Sequence, residues 1–455
     1  MHVVASSTAG AETASPITYG VYWRETEEVT YGPSLRGEID ADVCIIGSGY
    51  TGMWTAHYLK KADPGLRVVI LEADYAGSGA SGHGDGFMTP TIGHNLSSLI
   101  KAYGADRAKL AYTIVGKSIL EVQRFARKHD IDAQIEPTGY LNVATNGRQL
   151  RNLEKDLSLI QQLGATSLPD LLDGPGIRAR VDSPALLGGF EVGGAMVNPH
   201  RLSRGVSRVL RAQGVDIYEK SAARAVDVRG SGYRVRTDAG AVTAQRVVYA
   251  TNAYQHQFPQ LRSMVRPMWS YAIVTEPLTP EQLSGLNWPG REGFVEARNL
   301  IAFARLTAQN RLLIGGGPVP YHYGRDMSDE RMRARKPRDY LIGLLHKYFP
   351  SLRGLRVTHA YGGCIDMTPD LVPHVGRLPS GEFYSHGYCG NGVAFTNTVG
   401  KVLRDLVLDK QSSYTDLMFV GDQRKRYGAE PLAWAQAKAH DLTMRLEDGL
   451  PVRRP

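Results

Sequence analysis

The stretch ADVCIIGSGYTGMWTAHYL, Ala41 to Leu59, is an apolar run that meets three spaced glycines and then turns amphipathic. A short apolar run closed by glycine reads as a buried strand, and residues 50–63 read as a helix. A second apolar run follows at LRVVILEAD, residues 66–74. Together they make a strand–helix–strand unit of the usual size, about thirty residues. In such a unit each glycine has its own task. Gly47 allows the tight turn, Gly49 lets backbone approach a pyrophosphate, and Gly52 lets the helix lie close to the strand. Ser48, Tyr50 and Thr51 share this turn, and the phosphates sit on the positive end of the helix. Glu72 follows Gly52 by 20 residues, the spacing for a carboxylate that accepts hydrogen bonds from a ribose. Ala73 adjoins it.

This unit serves FAD and NAD alike, because both carry the same adenosine diphosphate half. The next stretch, EADYAGSGASGHGDGFMTP at residues 72–90, favours FAD. An NAD domain proceeds directly to its next helix and strand. A glycine- and serine-rich loop here is suited to running along an extended cofactor.

Working outward, 455 residues are enough for two or three domains, and 42% hydrophobic content supplies a sizeable core. The net charge of +8 comes with no block of five or more Lys/Arg and no interleaved aromatics, which argues against nucleic-acid binding. Cys44, Cys364 and Cys389 are the only cysteines, too few for a disulfide scaffold and with no zinc-like spacing. No metal site and no membrane span are expected. Residues 1–15 lack the features of a signal peptide and read as a disordered tail, so a cytoplasmic location is expected. Oligomeric state is not indicated.

Helical patterns are expected near 115–129, 149–163, 198–214, 329–348 and 391–409, with strands at 214–254 and 265–325 between them. Pieces of one nucleotide domain thus recur along the chain. The expected division is an N-terminal extension (1–40), a cofactor domain (41–115, 190–262 and 356–412), a substrate domain (116–189 and 263–355) and a C-terminal extension (413–455). The fold class is α/β: a Rossmann-type FAD domain built from separated segments, plus an α+β substrate domain with a large mixed or antiparallel sheet.

DVCIIGSGYTGMWTAHYL, LEADYAGSGASGHGDGF and GRLPSGEFYSHGYCGNGVAFTNTVGKVL, in this order, resemble the D-amino-acid oxidase and sarcosine oxidase superfamily of FAD-dependent enzymes. The chain is most similar to its gamma-glutamylputrescine oxidase-like branch, over roughly residues 20–410. The resemblance implies that Ser81, Gly82, His83 and Gly84 lie by the flavin and that the Val226 backbone meets the adenine. It also places Ala250 and Asn252 at a strand tip near the cofactor, adds Gly363 to the cofactor set, and sets Gly390, Asn391, Gly392 and Val393 against the flavin pyrimidine. A helix start there would stabilise the negative charge of reduced flavin.

The implied reaction is hydride transfer from an amine-bearing carbon to flavin, giving an imine that water hydrolyses. Oxygen or another acceptor would then take the electrons. In some relatives a histidine at the place of His83 is bonded to the flavin; a noncovalent contact is the simpler expectation, and Cys364 is a lesser attachment candidate. Sarcosine-type relatives grip a substrate carboxylate with charged residues where this chain has Pro90 and Ala394. They also place a lysine for oxygen chemistry where it has Leu313. Substrate-side candidates are Trp269, Tyr271, Phe303, Tyr321 and His322, with Asp366 as a possible ammonium partner. Arg305 is expected in a surface salt bridge. An FAD monooxygenase using NAD(P)H, or a noncatalytic flavin-binding protein, are the alternatives.

Overall fold

The computed structural model describes residues 16–93, 96–164, 169–421 and 425–449; the expected disordered tail lies outside them. The quoted stretch forms the centre of the first sheet. Strand Gly37–Ile46 is followed by helix Tyr50–Ala62 and the parallel strand Val68–Leu71. The strand begins four residues before Ala41 because Gly37–Asp40 pair in parallel with Gly240–Thr243. Its second half, Val43–Ile46, is buried, as a strand covered on both faces must be.

The first sheet runs His374–Arg377, Phe383–His386, Gly240–Tyr249, Gly37–Ile46, Val68–Leu71, Asp216–Tyr218. Its last five strands are mutually parallel. Strands Ala225–Arg229 and Gly232–Arg236 branch from Gly240–Tyr249 as an antiparallel hairpin. Helix Ala105–Lys128 packs beside this sheet and the late helix Gly392–Val407. The two meet through Ser118 and Thr398, whose hydroxyls lie 2.7 Å apart, and through Lys401 and Glu121. The expected boundary at 115/116 therefore falls inside a continuous helix.

The second sheet is mixed. Its eight strands, among the described residues, run Thr18–Tyr19, Val357–Met367, Arg266–Pro277, Arg311–Gly316, Ala302–Leu306, Gly293–Glu296, Tyr140–Ala144, Gly188–Val192. Strand Val357–Met367 thus pairs here rather than in the first sheet. Helix Arg335–Tyr348 covers one face through Leu341, Leu344 and Leu345. The single helix expected over 329–348 is broken into Asp329–Met332 and Arg335–Tyr348. Pro337 explains the break: its ring would clash with the carbonyl four residues back, so a helix cannot run through it from Arg333.

Both ends of the described chain pack on the second sheet. Thr18–Tyr19 extends its edge, and Trp23 is buried with Ala272, Val274, Leu313 and Tyr361. The C-terminal helix Leu432–Glu447 buries Ala437 against Met268 and Tyr321. Its end is tied down by Asp448, which accepts from the Asn299 and Leu300 amides at 3.0 and 2.8 Å. Among the described residues no helix is long and apolar enough to cross a membrane.

Candidate active site

A cavity of about 1470 Å³ lies where the two sheets meet. Small-molecule sites usually hold roughly 300–1,000 Å³, so this one has room for a long cofactor and a second ligand.

One end is built by the glycine turn. Gly47 has φ +102°, in the left-handed region, and a Cβ there would stand 2.7 Å from the Ala250 carbonyl oxygen. A Cβ on Gly52 would stand 2.0 Å from the Gly47 carbonyl oxygen, so only glycine lets this helix start so close to the strand. Gly49 is the N-cap of helix Tyr50–Ala62 and offers no side-chain cap of its own, and the positive end of the helix favours an anion. Ser48 and Gly52 shape the turn from behind; Gly47, Gly49, Tyr50 and Thr51 line the cavity.

Glu72 and Ala73 line the next portion, with Ala222, Ala223 and Arg224. The Glu72 carboxylate accepts from the Ser48 amide and hydroxyl and from the Asp74 amide. Val226 does not line the cavity; its side chain packs on the core of the first sheet, and the wall is formed two to four residues earlier.

The glycine-rich loop forms the middle. Ser81 Oγ accepts from the Tyr50 amide at 2.8 Å and so joins loop to helix start. Gly82 is buried behind it, while Ser81, His83 and Gly84 line the cavity. Burial lowers the His83 imidazole to about 4, so it is neutral at pH 7, with Nε2 3.4 Å from the Tyr75 hydroxyl. Arg305 is not in a surface salt bridge. It is 2% exposed and donates to the carbonyls of Gly86 and Val197, both at 2.9 Å. It therefore stitches the loop to the second sheet. The neighbouring Asp85 carboxyl is pushed up to about 7 by burial and accepts from the Tyr361 hydroxyl at 3.3 Å. This Asp85–Tyr361–Arg305 cluster escaped the sequence reading, although Asp85 stands in the quoted His-Gly-Asp run.

At the other end, the loop of residues 387–391 leads into helix Gly392–Val407. Asp366 is 1% exposed and holds this loop: its carboxylate accepts from the Gly387 amide at 2.5 Å and the Tyr388 amide at 3.2 Å. Burial pushes it up to about 7. Asn391 turns its side chain away from the helix it precedes and donates to the Gly93 carbonyl at 3.1 Å. The helix start is left without a side-chain cap, and Gly390, Asn391, Gly392 and Val393 line the cavity beside it. Ala250 and Asn252 complete that wall.

The second sheet supplies the roof. Met268, Ser270 and Ala272 project from one strand and Gly363, Cys364, Ile365 and Asp366 come from its neighbour, with Phe303 close by. Burial raises the Cys364 thiol well above its ordinary value, so it stays protonated. Trp269 faces away and donates its indole N–H to the Asp326 carbonyl at 3.0 Å. Tyr271 borders the cavity, but its hydroxyl donates to the Arg331 carbonyl. Tyr321 and His322 are not brought to the lining. The Tyr321 hydroxyl donates to Glu430 beneath the C-terminal helix. That helix instead contributes His440, Asp441 and Met444 to the wall.

The residues present fit an FAD. Two helix starts whose N-cap residues make no side-chain cap face one cavity, glycines stand where a Cβ would collide, and a half-buried carboxylate lies at the adenosine end. The comparisons agree. The family model described as "DAO: FAD dependent oxidoreductase" matches residues 42–406. The chain is 33% identical to the gamma-glutamylputrescine oxidoreductase of Escherichia coli (strain K12), over 83% of this chain and 86% of that protein. It is 28% identical to a probable oxidoreductase OrdL of Rhizobium meliloti, over 89% and 92%. Among solved structures, the glycine oxidase from Geobacillus kaustophilus shares the fold with a TM-score of 0.71 at 21% identity, covering 86% of this chain and 100% of that one. The L-proline dehydrogenase from P. horikoshii does so at 0.69 and 15%, covering 92% and 100%. The chain belongs to the FAD-dependent oxidoreductase family.

Proposed function

We propose that this enzyme oxidises an amine carried on an extended polar molecule, of the acylated-diamine kind named for its Escherichia coli relative. The reaction is FAD-dependent oxidation of a C–N bond in an amine or amino-acid-like substrate, in which the bound FAD accepts a hydride. The observation that carries the reading is the roof. Met268, Ser270, Ile365 and Phe303 form a mostly apolar surface above the space between the glycine-rich loop and the loop of residues 387–391. An amine seated there is kept neutral by its surroundings, and neutrality favours hydride loss. The uncapped start of helix Gly392–Val407 favours negative charge next to it.

The protein's own part is to orient and to exclude water. Arg305 fixes the glycine-rich loop under the roof, and Asp366 fixes the facing loop through the Gly387 and Tyr388 amides. The flavin is held noncovalently: His83 is neutral and placed for a polar contact, while Cys364 remains a protonated thiol. Leu313 is buried beside Trp23 and Tyr361 and does not line the cavity, so no lysine stands there to assist oxygen. Oxygen or another acceptor then takes the electrons.

Anaerobic titration of the holoenzyme with amines, amino acids and acylated diamines tests the reading. Bleaching of the flavin band by an acylated diamine is expected, and admitting air then measures the oxygen reaction. A well-formed flavin spectrum that no amine bleaches would overturn it.

A further inference from the structure

We propose that the C-terminal helix Leu432–Glu447 sets the substrate range of this enzyme, and that Met444 on its inner face limits the length of chain that the reacting amine can carry. The proposal rests on the amine-oxidation reading above and adds to it a residue that selects among amines.

The register of the second sheet fixes where this helix lies. Ala272 pairs with Gly315, Gly316 with Ala302, Ala302 with Glu296, and Glu296 with Val143. Strands Arg266–Pro277, Arg311–Gly316, Ala302–Leu306, Gly293–Glu296 and Tyr140–Ala144 therefore each bring one end to the same side of the sheet. The helix crosses that side. Ala437 is buried against Met268 of the roof strand, and Val319, just past Arg311–Gly316, packs on the same cluster. Farther along, Asp448 accepts from the Asn299 and Leu300 amides, in the turn between Gly293–Glu296 and Ala302–Leu306. The Glu447 carbonyl accepts from Arg148, beyond strand Tyr140–Ala144, at 2.6 Å. The helical rise from residue 437 to 448 is about 16 Å, and the three strand spacings from Arg266–Pro277 to Gly293–Glu296 are about 14 Å, so one helix spans them.

The inner face of the helix is given to the cavity more than to the core. Its buried residues are Ala433 and Ala437, which bring little apolar area. Ala437, His440, Asp441, Met444, Glu447 and Asp448, spaced by three and four along one face, line the chamber. Carboxylates on that face suit the wall of a chamber for a polar molecule and not a hydrophobic core. Polar bonds hold the helix at its ends, through Glu430 before its start and Asp448 after it. Met444 is the one large apolar side chain among these six. It is half-buried, long and unbranched, and takes up space that a ligand would otherwise use. Leu442 and Leu446 point the other way and are 41% and 61% exposed. The match to the family model ends at residue 406, so this wall is additional to the part of the chain that carries the cofactor motifs.

The test uses the holoenzyme in two ways. First, anaerobic flavin reduction is followed with N-acyl diaminobutanes whose acyl group lengthens from acetyl to octanoyl. The readout is the half-saturation concentration of the longest amine relative to the shortest. Met444→Trp is expected to raise this ratio by roughly tenfold and to leave the limiting rate constant unaltered, because it fills the wall without touching the reacting centre. Met444→Ala is expected to lower the ratio, and it carries the test if Met444→Trp fails to retain FAD. Leu446→Trp, on the outer face, is expected to keep the ratio within about threefold of wild type. Second, the flavin absorbance is titrated with N-alkylacetamides of increasing length, which hold no oxidisable amine. Their dissociation constants are expected to follow the same pattern across the variants. A length dependence that the Met444 variants move in neither titration, or that Leu446→Trp moves as far, would overturn the proposal. Failure of the amine reading is recognised separately, because then no amine bleaches wild type while the amide titration still reports on Met444.

Discussion

Ser48 and Glu72 hold each other at two points: the Ser48 amide donates to Glu72 Oε2 at 2.8 Å and its hydroxyl to the same oxygen at 2.7 Å. Two strand ends that are distant in sequence are thereby locked at the adenosine end of the cavity. The other oxygen, Oε1, accepts from the Asp74 amide at 3.0 Å, which fixes the plane of the carboxylate.

Glu72→Gln keeps the size and loses the charge. One amide oxygen cannot replace both acceptors, and the new NH2 would face donors. FAD affinity is expected to fall about tenfold or more, with the fold retained. Equilibrium dialysis of FAD against the variant measures this; unchanged affinity would show that Glu72 has no role at the ribose.

Gly52→Ala tests the close start of the first helix. The added Cβ would stand 2.0 Å from the Gly47 carbonyl oxygen, a backbone atom, with the Gly47 carbonyl carbon and the Ile45 side chain each at 3.2 Å. Relief requires the helix to back away, at about 1–3 kcal/mol, and that same movement spoils the anion site. A lower melting temperature together with loss of flavin colour is expected. Gly285→Ala, where an added Cβ meets nothing, is the control.

The raised carboxyl of Asp366 gives a pH prediction. Its folded value is about 7, against an ordinary 3.8, so folding favours the protonated form. The group's stabilising contribution is full below about 4 and is lost as pH rises through 7. Asp366→Asn cannot titrate. Wild type is therefore expected to lose more thermal stability than Asp366→Asn between pH 4.5 and 8, as read by melting temperature. Parallel curves for the two proteins would refute the shift.

His83 makes the link to the flavin testable. Burial holds its imidazole neutral at pH 7, and a noncovalent contact is all that the proposed function requires. Acid precipitation of wild type is expected to release all the FAD into the supernatant, and His83→Ala to bind FAD more weakly. Yellow colour retained in the pellet would demonstrate a covalent bond.

What the sequence made legible is what local chain geometry dictates. The glycine turn, the acidic residue 20 positions on and the Gly-rich start of the late helix all act within a few residues of themselves, and all reach the cavity. Parity within the roof strand was not legible. Trp269 looks like the ligand-facing residue, but both faces of this strand are buried, so an apolar run does not reveal which face meets the cavity; Met268 and Ser270 do. Arg305 was hidden for a related reason. The fate of a lone arginine depends on partners such as the Asp85–Gly86 carbonyls, about 220 residues away.

Tyr321 offers the last test, because two roles make opposite predictions for it. From the sequence it stands as a catalytic candidate, leaving a strand beside the expected flavin face. In the fold its hydroxyl donates to Glu430, whose other oxygen accepts from the Trp434 amide at the first turn of the C-terminal helix. The hydroxyl thus anchors a helix that carries His440, Asp441 and Met444 into the cavity wall. Tyr321→Phe removes only this anchor and keeps the ring against Arg266. The rate constant of flavin reduction at saturating amine is expected to stay within about threefold of wild type, while the melting temperature falls by a few degrees, the mark of one lost hydrogen bond to a charged group. Glu430→Gln should reproduce both effects, since it weakens the same bond from the other side. A hundredfold drop in the rate constant in Tyr321→Phe, without the same drop in Glu430→Gln, would instead place the hydroxyl at the reacting amine.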